Sequence, residues 1–127
     1  MRVGAHVSSA GSLDKAIDRA VELGAETVQI FCSPPQGWTF KPTPLEIAQA
    51  FRDKAEASDI RPAFLHAIYL VNLGTENADN LKKGIESLVS YAHTAAAIGA
   101  AGVIFHPGSH KGLGFDAILP QTVDSLK

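Results

Sequence analysis

Four short apolar runs alternate with four stretches of helical period, and this alternation restricts the chain to a parallel sheet covered by helices. Residues 2–6, 27–31, 61–66 and 102–106 read as strands. After the first strand, Ser12 is expected to cap a helix running to about Leu23, with Leu13, Ala16, Ile17, Ala20 and Val21 at its apolar positions. Pro44 suits the first turn of a helix over 44–57, whose Leu45, Ala48, Phe51 and Ala55 share a face. A third helix spans Ala78 to Ile98 and stops at Gly99; a fourth starts near Phe115 and is still running at Lys127. Strands alternating with helices imply parallel pairing and right-handed crossovers. Four such units are half of an eight-fold barrel, which needs about 250 residues. The chain has 127. A doubly wound open sheet is the competing architecture, but it usually carries a glycine-rich phosphate turn after its first strand. Val7-Ser8-Ser9-Ala10-Gly11 is only a weak version of that turn. The expected fold class is therefore α/β, with parallel βα units forming about half of a TIM-type (β/α)8 barrel.

Composition removes several functional classes. The net charge of −2 offers no global attraction for nucleic acid, so any such binding must come from local loops. No apolar run approaches the ~20 residues that span a bilayer, and no signal peptide precedes the first strand. The single cysteine, Cys32, excludes an internal disulfide framework and fits a reducing cytoplasm. It reads as a small buried hydrophobe near a strand end rather than a nucleophile.

Chemistry concentrates where strands end. The first strand runs into His6, the third into His66 and the fourth into His106. Alternatively, each histidine taken singly is a structural polar cap. Together they point to the carboxyl edge of the sheet, where α/β proteins keep their sites. Neutral imidazole suits zinc and similar metals. Since paired strands lie about 4.8 Å apart, His66 and His106 are expected to converge on one ion, with His6 in support behind them. His93 sits mid-helix and is expected on a solvated face.

Two loops add to this edge. Gly108-Ser109-His110 offers amides, a hydroxyl and an imidazole, which suit either a phosphate oxygen or a plain tight turn. Ser33-Pro34-Pro35-Gln36-Gly37-Trp38 and Ile68-Tyr69-Leu70-Val71-Asn72-Leu73 place large side chains outside any core pattern. Such aromatics can stack on bases or wedge into a duplex. For Trp38, plugging the barrel mouth is the preferred reading, and Asn72 reads as a turn cap.

Four segments then carry a resemblance. Gly4-Ala5-His6-Val7-Ser8, Gln29-Ile30-Phe31 leading to Trp38, His66 through Leu73, and Phe105-His106-Pro107-Gly108-Ser109-His110 match, in order and spacing, the endonuclease IV type of apurinic/apyrimidinic endonucleases. The chain resembles the N-terminal half of such a protein. Residues 1–127 are thus expected to be the N-terminal portion, truncated, of a single TIM-barrel domain of the AP endonuclease 2 type. The resemblance implies zinc-dependent hydrolysis of the phosphodiester 5′ to an abasic site, using three zinc ions in the complete enzyme. It makes His66 and His106 two ligands of one zinc, with no catalytic side chain beyond metal ligands. It makes Tyr69 and Leu70 the residues that enter the minor groove of double-stranded DNA. Gln36 stands where the family usually has a DNA-contacting arginine, and it supplies a hydrogen bond without a charge. His6, Ser109 and His110 are expected to back the ligands or meet phosphate.

The family's remaining ligands, a bridging glutamate among them, have no counterpart here, since Asp116 and Asp124 fall on the last helix. The 127 residues alone are accordingly expected to be inactive and to self-associate through exposed barrel edges. A non-catalytic half-barrel that pairs with a complementary half, and a related sugar isomerase or epimerase barrel, are the alternatives.

Overall fold

The computed structural model describes residues 1–127. Strands β1 (Gly4–His6), β2 (Thr27–Ile30), β3 (Ala63–His66) and β4 (Gly102–Ile104) alternate with helices α1 (Lys15–Glu22), α2 (Leu45–Ala57), α3 (Ala78–Ile98) and α4 (Phe115–Asp124). The four strands form one parallel sheet in the order β1-β2-β3-β4. This is the run of consecutive βα units expected of half a barrel.

Alternate strand residues face opposite sides, and each side has its own chemistry. Val28, Ile30, Ala63 and Leu65 are buried against the helices, which contribute Ala16, Ile17, Ala20, Ala48, Phe51, Tyr91, Ala95 and Ile98. The opposite side carries Gly4, His6, Gln29, Phe64, His66 and Ile104. The core therefore lies between sheet and helices, which leaves the other face to the site.

Helix ends follow local chemistry. Asn77 caps α3 by accepting from the Asn80 N–H at 2.9 Å. Gly99 closes that helix at φ +70°, a left-handed conformation that a Cβ disfavours. Ser12 does not cap α1 as expected; its hydroxyl donates to the Asp14 carboxylate, and Asp14 holds the cap position. Pro44 sits one place ahead of α2, where its carbonyl accepts from Ile47 and Ala48. Lys54 of α2 bridges Asp14 at 2.8 Å and Asp18 at 2.5 Å, which ties α1 to α2.

All four strands are shorter than the sequence suggests, β1, β3 and β4 by two residues each and β2 by one. Arg2 and Val3 are drawn off β1 by side chains: Arg2 binds the Asp59 carboxylate at 2.7 Å, and the Val3 N–H donates to the Glu26 carboxylate at 3.0 Å. β4 stops at Ile104 because Pro107, just beyond, lacks an N–H to continue a ladder and restricts the residue before it. Consequently His106 lies two residues past its strand. Helix α4 buries no residue fully. It is held by Gln121, whose side-chain nitrogen donates to the Leu73 and Thr75 carbonyls, each at 2.8 Å.

Leu65, on an interior strand and fully buried, is the side chain on which sheet and helices both close. Leu65→Ala should lower stability by about 2–5 kcal/mol, the usual range for truncating a buried leucine. Urea unfolding followed by circular dichroism measures this; a loss under about 1 kcal/mol would mean that the site collapses around the cavity.

Candidate functional site

Strand stagger decides which inward residues meet. In an eight-stranded barrel the register advances by about one residue per strand, so residues from alternate strands share a layer. His6 lies opposite Gln29, and Gln29 opposite Phe64. His66, two residues beyond Phe64 and two strands away from β1, therefore falls in the layer of His6. Their ring centroids lie 5.9 Å apart. By the same count Phe31 and His106 form the next layer toward the carboxyl end. Phe31 is 5.1 Å and His106 5.3 Å from His66, again between ring centroids.

Hydrogen bonds assign the imidazole nitrogens. His66 is buried, and its Nδ1 lies 2.7 Å from the Ala67 carbonyl oxygen. A carbonyl only accepts, so Nδ1 carries the proton and Nε2 keeps a free lone pair. His6 has the opposite arrangement: its Nδ1 accepts from the Gln29 side-chain nitrogen at 2.9 Å. Lost hydration among the surrounding rings, and secondarily the neighbouring His66, hold His6 below the usual histidine range. Two imidazoles sharing one tetrahedral ion, with metal–nitrogen bonds of about 2.1 Å, have ring centres roughly 5 Å apart. The His66–His106 separation of 5.3 Å fits that requirement. No group of three or more His, Cys, Asp and Glu side chains is arranged to hold an ion.

The loops bring the other expected residues to the same edge. Tyr69 is 58% exposed and Leu70 38%, so both stand clear of the core. The Tyr69 ring packs beside Phe31 at 5.4 Å and His66 at 5.6 Å. Its backbone N–H donates to the Pro35 carbonyl at 3.0 Å, which draws the loop bearing exposed Gln36 alongside. His110 Nδ1 accepts from the Gly112 and Gly114 N–H groups at 3.1 and 3.2 Å, leaving its Nε2 as a donor. Ser109 Oγ accepts from the Lys111 N–H at 3.3 Å. The tight turn is thus built, with His110 Nε2–H and the Ser109 hydroxyl proton left over.

Other residues lie elsewhere. His93 is exposed on α3 and lines a separate cavity of about 470 Å³ with Phe40, Thr43, Ser90 and Thr94. Trp38 does not plug the barrel mouth. It lies in a groove with Lys83, Glu86 and Ser87 of α3, because the proline-containing loop carries it outward over that helix. Phe31 is the site residue that motif reading undervalues; its signal is parity with Gln29 along β2.

Comparisons with known proteins bear on the fold. Residues 17–127 match the protein family described as xylose isomerase-like TIM barrel. Probable endonuclease 4 of Methanoculleus marisnigri is 37% identical over 124 residues, which cover 98% of this chain and 44% of that protein. The crystal structure of endonuclease IV from Thermus thermophilus superposes with a TM-score of 0.86 at 35% identity, covering 99% of this chain and 46% of its own. A D-tagatose 3-epimerase-like protein superposes at a TM-score of 0.69 with 18% identity, over 99% of this chain and 46% of its own, a likeness of fold alone. The chain spans about half the length of the curated relatives it matches.

Cys32, the free thiol at the end of β2, is half-buried beside Tyr91 and Thr94. Burial pushes its thiol up to about 11. Burial likewise raises Tyr91, whose hydroxyl is hydrogen-bonded to Ser33 Oγ at 2.9 Å. Cys32 should therefore hold about a hundredfold less thiolate near pH 8 than a free cysteine and react correspondingly slowly with iodoacetamide. Mass spectrometry over time, folded against urea-unfolded, reads this directly; equal rates would show the thiol to be open.

Proposed function

The chain belongs to the xylose isomerase-like TIM barrel family, and from that membership we propose that it forms the amino-terminal portion of a DNA-repair endonuclease of the endonuclease IV type. The complete enzyme would hydrolyse, with zinc, the phosphodiester 5′ to an abasic site in double-stranded DNA. One observation carries the reading: a pair of imidazoles at ligand spacing stands directly beside an exposed Tyr69–Leu70 tip. A metal pair alone would suit many barrels. An exposed aromatic and aliphatic tip beside it suits a duplex from which one base is missing.

His66 would hold zinc through Nε2, since its Nδ1 is committed to the Ala67 carbonyl. His106 would hold the same ion from the neighbouring strand. Bound there, zinc supplies Lewis acidity at a phosphate oxygen and makes a water more acidic. Tyr69 and Leu70 fill the space left by the absent base and keep the lesion turned toward the histidines. Gln36, on the adjoining loop, donates a hydrogen bond to the backbone without adding positive charge. His6 supports the ring of His66 from the far side of the sheet's open face. His110 Nε2–H and the Ser109 hydroxyl offer donors to a flanking phosphate.

A catalytic zinc takes three protein ligands and an open position. The two imidazoles here make part of one site, so the full three-ion arrangement draws on donors outside these 127 residues. The same reading includes self-association through the outer edges of β1 and β4, which end the sheet on either side. No helix is long and apolar enough to cross a membrane. We place the protein in the cytoplasm, which suits its free thiol.

Two measurements test the proposal. In a chimera carrying the remaining strands of an endonuclease 4 relative, Tyr69→Ala should weaken binding to a duplex with one abasic site by ~1–3 kcal/mol, the scale of a lost stacking side chain. Fluorescence titration reads the change, and unaltered affinity would reduce Tyr69 to a rim residue. The 127-residue chain supplied with zinc should leave the same duplex intact while the chimera incises it. Chelator-sensitive incision by the short chain at the chimera's rate would refute the shared-donor view.

A further inference from the structure

The loop bearing His106 and the loop bearing Tyr69 and Leu70 leave neighbouring strands, and strand pairing does not hold their outer parts together. One side chain does, beside a single backbone bond. Asn72 Oδ1 accepts from the Gly74 N–H and from the Ser109 N–H, both at 3.0 Å. Its Nδ2 donates to the Ser109 carbonyl at 3.2 Å. A backbone bond from the Leu73 N–H to the Pro107 carbonyl, 2.9 Å, runs beside these. The bond to Gly74 is the ordinary way an asparagine closes its own turn. The two bonds to Ser109 reach across 37 residues of sequence, and no turn requires them.

Gly108 is shaped by this contact. Its φ is +115°, and a Cβ there would collide with Asn72 Oδ1. A Cβ would also come within 2.7 Å of the Asn72 Cα, so a side chain at 108 is excluded by the backbone of residue 72 as well as by its amide. His106, meanwhile, is exposed and lies beyond the last ladder residue, so its own surroundings hold it little.

We infer that Asn72 is a positioning residue that latches the His106 loop to the Tyr69–Leu70 loop, so that one hydrogen-bonded unit sets both a metal ligand and the DNA-facing tip. The roles of those residues rest on the function proposed above; the latch itself is defined by the bonds to Ser109. An amide is suited to the task because it meets the N–H and the C=O of one residue at once. Aspartate keeps the two acceptor bonds and loses the donor, whereas alanine loses all three.

Hydrogen exchange with mass spectrometry on the chain without metal reads the latch. Asn72→Ala should speed exchange about fivefold or more in residues 68–71 and 106–110 together, the scale of a lost hydrogen bond, with the helices unchanged. Asn72→Asp should fall nearer to wild type. Asn72→Leu, which keeps the size of the side chain and loses all three bonds, should reproduce Asn72→Ala and serves if that variant folds poorly. Cobalt(II) absorption gives a second readout: Asn72→Ala should lose about tenfold in cobalt affinity, as when an outer partner of a ligand is removed, and Asn72→Asp markedly less. Faster exchange confined to one loop, or wild-type exchange in both Asn72→Ala and Asn72→Leu, would overturn the latch. If neither the wild-type chain nor the chimera that completes the site takes up cobalt, the metal reading of His66 and His106 fails, and paired exchange in the two loops still upholds or overturns the latch.

Discussion

Parallel pairing at a constant stagger is the constraint on which everything at the carboxyl edge depends. Each strand contributes inward residues at every second position, and the stagger lifts successive strands until side chains from alternate strands share a layer. His6 and His66 meet for this reason, and the same count puts Phe31 and His106 one layer higher, each against the His66 ring. A slip of one residue in β3 would send His66 into the helices and Leu65 to the open face, so core and site cannot be altered independently. The apolar set Val28, Ile30, Ala63 and Leu65 thereby keeps the histidines in place without touching most of them.

Above that layer, control passes from strands to loops. Tyr69 is joined to Pro35 on one side, and Asn72 to Ser109 on the other, so three consecutive βα loops form a continuous rim. Gln36 is neutral and His110 Nδ1 is engaged by backbone groups, so exposed Lys111 is the cation that the His110 loop adds to the rim. Shape and hydrogen bonding make up most of what the three loops offer.

Much of this is legible in the sequence. The periodicity of α3 and the glycine at 99 yield its extent closely, because its far end is closed by local chemistry that a sequence displays; the Asn77 cap at its start emerges with the structure. The strand histidines are equally visible, since an apolar run ending in imidazole has few explanations. What is hidden depends on partners far along the chain. Arg2 shortens β1 by reaching Asp59, and Trp38 swings outward over α3; neither follows from neighbouring residues. Asn72 reads as a turn cap, which is half of what it does. Its bonds to Ser109 emerge only once β3 and β4 are paired. Phe31 reads as the end of a strand, and its place in the layer above His6 and His66 needs the register.

The bond from His66 Nδ1 to the carbonyl of Ala67 has a consequence for how such a site persists over time. Ligating histidines are commonly oriented by a carboxylate or another side chain, which ties the metal to the survival of a second residue. Here the orienting oxygen belongs to the main chain immediately after the histidine. Ala67 is itself buried, but any residue small enough for its place would present the same carbonyl, so the bond that fixes the tautomer needs no distant side chain. The ring's hydrogen-bonded orientation is inherited with the strand itself, and descendants of this sheet can exchange loops and partners while that bond persists.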